Sequence, residues 1–126
     1  MRSATAFSLS LLALAVSAAP STRDVDKVTV QLSNDDSGAN GNAAIPTNGV
    51  PVDIGQAFGG SDLFKDGTLL VTSLFFQSNF QNADCKVFKN GFTEVAHIFD
   101  PAKDFERFAQ QPVNWEKGFT IACTRS

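Results

Sequence analysis

Tyrosine is absent from the 126 residues, and histidine, tryptophan and methionine occur once each. The single histidine, His97, has no second imidazole with which to share a metal, and a nucleophilic triad would rest on it alone. No Gly-x-Ser-x-Gly elbow and no glycine loop ending in Gly-Lys-Ser/Thr occurs, so the usual frames for acyl transfer and phosphate binding are missing. Asn-x-Ser/Thr is missing as well, and N-linked sugar is not expected on the surface. Basic residues are outnumbered by acids, 10 to 13. A domain of that sign repels phosphate backbones and anionic membranes, which argues against nucleic acid as a partner and against membrane insertion. Paired carboxylates cannot be nominated from spacing in a chain this rich in Asp. No catalytic constellation is visible, and no enzyme activity is expected.

What is present begins with a leader. Arg2, the apolar run from Ala6 to Val16 and the small residues Ser17, Ala18 and Ala19 have the three parts of a secretory signal. The run is shorter than the roughly 20 residues that cross a bilayer. Residues 1–18 are therefore expected to be a signal peptide and residues 19–126 a single secreted domain, extracellular in location. Both cysteines lie beyond the leader, and an exported chain matures in an oxidising compartment, so Cys85 and Cys123 are expected to form a disulfide. Every phenylalanine but Phe7 also lies beyond the leader. With Trp115 they supply ample apolar volume, and core packing is the expected use of Trp115 in place of stacking on sugar rings.

The patterning is that of strands. Val28, Val30 and Leu32 alternate with polar residues, and so do Val50, Val52 and Ile54, where Pro51 suits an edge strand or a strand start. Pro46 keeps 43–45 out of a central strand. Thr68 to Phe76, TLLVTSLFF, reads as one central strand buried on both faces. Between Gly55 and Gly67 glycine is frequent, which implies a loop with one helical turn near Gln56–Phe58, Phe58 and Phe64 pointing into the core. Cys85 to Phe99 reads as a hairpin around Asn90-Gly91, with a three-residue loop of Lys89, Asn90 and Gly91 that pairs Phe88 with Phe92 and Lys86 with Glu94. That register leaves Cys85, Val87, Val95, His97 and Phe99 on one face. Asp100-Pro101 with Phe105 and Phe108 at helical spacing predicts a short helix over Pro101–Ala109. Phe119, Ile121 and Cys123 alternate in a final strand. The expected fold is an all-β antiparallel sandwich of about 7–8 short strands with one short helix.

One polar stretch stands out. Ser33 to Asn42, SNDDSGANGN, is expected to be a long surface loop, and Asn34, Asp35, Asp36, Ser37 and Asn40 are its candidate interaction residues. Asp35 and Asp36 also offer oxygens to Ca²⁺, which takes six to eight. Two adjacent carboxylates fall short of that number, so a calcium site would need a second acidic loop, Asp62/Asp66 or Asp100/Asp104, at the same end of the fold. Stabilising the turn is the expected role of these side chains, and no cofactor is required.

The segment Val28 to Phe58, VTVQLSNDDSGANGNAAIPTNGVPVDIGQAF, resembles a family of small secreted ascomycete proteins that includes hypersensitive-response-inducing elicitors of plant pathogens. The likeness is carried by Leu32, Asn34, Asp35, Ser37-Gly38-Ala39-Asn40, Gly49-Val50 and Phe58, with echoes in VTSLFFQSNF, Cys85, Asn90-Gly91 and Cys123. It implies a β-sandwich with one disulfide, exported by a fungus and able to trigger plant cell death or defence. The partner it implies is a host plant extracellular or surface protein. The alternative expectation is a carbohydrate- or cell-wall-binding module.

Overall fold

The computed structural model describes residues 26–126. The expected signal peptide, residues 1–18, and the first residues of the expected secreted domain lie outside the described residues. Eleven strands and one short helix follow in the order β1 (Lys27–Ser33), β2 (Asn40–Pro46), β3 (Val52–Asp53), α1 (Ile54–Ala57), β4 (Phe64–Lys65), β5 (Thr68–Val71), β6 (Ser73–Ser78), β7 (Ala83–Lys89), β8 (Thr93–Phe99), β9 (Phe105–Arg107), β10 (Val113–Asn114) and β11 (Phe119–Arg125). They form two four-stranded sheets, β2-β1-β6-β9 and β3-β11-β7-β8, and a three-stranded sheet, β10-β5-β4. Every pairing is antiparallel.

The fold is thus all-β and sandwich-like. The described residues form 11 strands where 7–8 were expected, because several pairings are only two or three residues long and leave no periodic trace in sequence. Along β1 the side chains of Val28, Val30 and Leu32 are fully buried and those between them are not, as the alternation requires. They meet Leu74 from β6 and, from the other large sheet, Val87, Ile98 and Ile121, in one continuous core. Pro46 and Pro51 sit where a missing N–H is tolerated: β2 is an edge strand, and β3, just after Pro51, pairs only with β11.

Cys85 and Cys123 are bonded and lie directly opposite one another on β7 and β11, both fully buried. Their Cα atoms are 4.1 Å apart, close to the spacing of a non-hydrogen-bonded antiparallel pair. The bridge therefore fits a register that the flanking strand residues already favour.

Four expectations are corrected. The run Thr68–Phe76 is two strands in different sheets, broken at Thr72, and Leu70 faces solvent. At the break Thr72 N–H donates to Ser33 O, and its carbonyl accepts from Phe108 N and Ala109 N, so the chain changes sheets there. Pro101–Ala109 is not a helix but a turn followed by β9. Phe76 N donates to Asp104 O and Phe75 pairs with Phe105, so a free sheet edge supplies the hydrogen bonds that one helical turn would have made. In the 85–99 hairpin Lys89 pairs with Thr93, Phe88 with Glu94, and Val87 with Ala96, which makes Val95 a bulge. The extra residue turns Ala96 and Ile98 inward beside Val87 and Cys85, and moves Val95, His97 and Phe99 to the other face. Gly91 is left-handed as expected, and so is Asn90. Finally, the helical turn is Ile54–Ala57, capped by Asp53, whose Oδ2 accepts from Gln56 N at 2.9 Å. Phe58 is buried behind it, whereas Phe64 is exposed on β4. Gly55 is required here, since a Cβ at this position would run into the carbonyl oxygen of Glu116.

Two carboxyls respond to the fold in opposite directions. Asp26 is held below its ordinary value of 3.8 by hydrogen bonds from Arg125 and Thr47. Asp104 is pushed above 3.8, first by burial and then by its hydrogen bond with, and repulsion from, Asp100. The Asp26 contribution is complete above 3.8 and is lost as pH falls through its lowered folded value. The Asp104 contribution is complete below 3.8 and is lost as pH rises through its raised folded value. In urea unfolding between about pH 2 and 7, the stability difference between wild type and Asp26→Asn should fall toward the acid end. That between wild type and Asp104→Asn should fall as pH rises. Differences that stay level across pH would show that neither carboxyl is perturbed by folding.

Candidate functional site

The SNDDSGANGN stretch is shorter as a loop than its composition suggests. Ser33 still belongs to β1 and Asn40 opens β2, so the connection is the six residues 34–39. Ser33 pairs with Asn40 and Gln31 with Asn42, which extends the ladder into residues expected to be irregular.

The turn is built from its own polar groups. Asn34, only 7 % exposed, accepts through Oδ1 from Asp36 N at 3.0 Å and Ser37 N at 3.3 Å. Its backbone carbonyl accepts from Gly38 N at 2.8 Å, its N–H donates to Ala39 O at 2.9 Å, and Ser37 Oγ accepts from Ala39 N at 3.2 Å. Gly38 is at φ +80°, a conformation in which a side chain would be strained. The turn is tied to the body through Thr72. Asp35 N donates to Thr72 Oγ1 at 2.9 Å, and the hydroxyl donates to Asp35 Oδ2 at 2.7 Å. Thr72 is fully buried, so this reciprocal pair gives a buried hydroxyl both a donor and an acceptor. Sequence reading passed over Thr72 because it sits inside an apolar run. The signal available was that a hydroxyl among apolar neighbours needs a partner.

Beside the turn lies an open cleft of about 700 Å³. Asn34, Ser37, Gly38 and Ala39 form one wall, and Asp62, Leu63, Lys65, Asp66, Thr68 and Leu70 form the other. Leu63 is buried at its base, while Phe64 and Leu70 are each 38 % exposed. Of the five candidate residues, Asn34 and Ser37 line this cleft, Asp35 is engaged by Thr72, Asp36 is exposed on the turn, and Asn40 is exposed at the start of β2.

The acidic loops named as calcium partners separate. Asp62 and Asp66 share the cleft with the turn, whereas Asp100 and Asp104 lie outside its lining and close enough to one another to repel. Among the described residues no group of three or more His, Cys, Asp or Glu side chains is placed to hold a metal ion. His97 is occupied structurally: its Nε2 lies 2.9 Å from Asp84 Oδ1, its backbone N–H donates to Glu106 Oε1 at 2.8 Å, and its ring packs on Phe99. What the cleft offers chemically is carboxylates, an amide, hydroxyls and one ammonium around an apolar strip, a surface for recognition by contact. Among the described residues no helix is long and apolar enough to cross a membrane. No family model, no curated protein and no solved structure matches this chain.

Proposed function

We propose that the protein is a secreted fungal effector, not an enzyme, that triggers cell death or defence responses in plants by contacting a host extracellular or cell-surface protein. The contact surface in this reading is the 34–39 turn with the cleft beside it. The observation that carries it is the way the turn is presented: its polar groups satisfy one another, and Asp35 is fixed to the buried Thr72. A turn held in this way loses little conformational entropy on binding. Phe64 and Leu70 add exposed apolar area, and Asp36, Asp62 and Asp66 add negative charge, a combination that suits a protein surface carrying basic and apolar side chains. The buried disulfide and the leader-like first residues support export. A cell-wall glycan module gains less support, because Trp115, the ring best suited to stack on sugar, is 2 % exposed.

The test is infiltration of purified residues 19–126 into leaves. Cell death or defence-gene induction should survive enzymatic removal of contaminating glycans. It should fall about tenfold in potency for Asp36→Lys/Asp62→Lys/Asp66→Lys, which reverses charge at exposed positions only. A clean protein without a response would overturn the reading, and retention on chitin or glucan beads in the same preparation would replace it with the glycan one.

A further inference from the structure

A second hollow, which shares no lining residue with the 34–39 cleft, lies between the end of β7, the start of β11 and residues 108–115. Its volume of about 490 Å³ lies within the range of small-molecule sites. Phe108 and Phe119, both half-buried, form its floor on either side of the buried Trp115, with ring centroids 4.2 Å and 5.2 Å from the indole. Val95 and Val113 add apolar wall. Val95 is available only because it is the bulged residue of β8, turned out of the core.

Two polar side chains complete the lining, Lys89 and Asn114. The orientation of Asn114 follows from its partners. Its Oδ1 accepts from both Leu69 N and Glu116 N at 3.0 Å, so the group left over is the Nδ2 donor. Among the described residues that Nδ2 has no hydrogen-bond partner and Lys89 forms no ion pair. No carboxylate lines the hollow. The lining side chains are therefore apolar below and leave only donors free, one of them cationic.

We propose that this hollow binds a small amphipathic monocarboxylic acid, with its apolar body on Phe108, Phe119 and Val113 and its carboxylate against Lys89 and Asn114 Nδ2. A carboxylate accepts from both donors at once, and a charge-assisted bond is roughly twice as strong as a neutral one. An alcohol of the same skeleton keeps the apolar contact and loses the charge. Inorganic phosphate keeps the charge and loses the apolar contact.

Because Trp115 is the only tryptophan and stacks on both floor rings, its emission senses occupancy through them. Titration with 4-phenylbutyrate should give a saturable change, with affinity about tenfold above that of 4-phenylbutanol, and phosphate should give none. Lys89→Gln should bring acid and alcohol within about twofold, and Lys89→Arg should restore the preference. Lys89 is exposed, so both variants should keep the wild-type melting temperature. The proposal fails if acid at about 10 mM leaves the emission unchanged, if acid and alcohol bind alike, or if Lys89→Gln keeps the preference.

Discussion

Replacing Cys85 and Cys123 together by alanine should lower the free energy of unfolding by about 4 kcal/mol. The bridge joins positions 38 residues apart, and in the chain-entropy account closing such a loop restricts the unfolded ensemble by that amount at room temperature. The native strands lose little geometry, because the two residues are already opposite one another in the β7–β11 ladder. Both sulfurs are buried, so their removal also leaves a small void that adds to the cost. Against a typical domain stability of about 5–15 kcal/mol the loss is large, and the melting temperature should fall by roughly 15 °C or more. Thermal unfolding followed by circular dichroism, for the double variant and for wild type with reductant, checks this. A shift below about 1 kcal/mol in both would show that the unfolded chain is already constrained between these positions.

The second large effect should come from Trp115→Ala, at about 3–5 kcal/mol. Trp115 lies between Phe108 and Phe119, and its backbone N–H donates to Leu69 O, so its ring and backbone together join the three-stranded sheet to the start of β11. Its partners are only half-buried, so the surroundings can close partly over the void, which favours the lower half of that range. Trp115→Phe keeps a stacked ring and should cost no more than about 2 kcal/mol. Phe92→Ala, at the tip of the β7–β8 hairpin and 88 % exposed, should stay within about 0.5 kcal/mol of wild type. Urea unfolding read by far-ultraviolet circular dichroism compares all three without relying on the tryptophan signal. Equal midpoints for Trp115→Ala and Phe92→Ala would mean that the aromatic stack contributes nothing to stability.

Both experiments concern features that differ in how readable they were. The strands β1 and β11 were legible because each alternates over seven residues with one buried face, so period and burial agree. The disulfide was legible from the number of cysteines and the leader-like first residues. The helix expected over Pro101–Ala109 rested on the Asp100-Pro101 start and on Phe105 and Phe108, a single turn of periodicity, and an edge of β6 took up that segment instead. The candidate turn was legible in composition, because Asn, Asp, Ser and Gly supply the side-chain acceptors and the left-handed conformation it uses. Its anchor was not: Thr72 is 37 residues from Asp35, and nothing local couples them. The far wall of the cleft, Asp62 to Leu70, was equally out of reach of any reading along the chain.

Residue order alone therefore determined the class of fold, the buried faces of the long strands, the covalent link and the polar turn. Each follows from period, count or turn chemistry within a few neighbouring residues. Tertiary structure decided which sheet each short strand joined, which face the bulge at Val95 turned outward, and which distant side chains met at Thr72 and around Trp115. These depend on hydrogen-bonding edges and free volume that exist only once the sheets have packed, and a backbone N–H takes whichever acceptor the assembled fold places within reach.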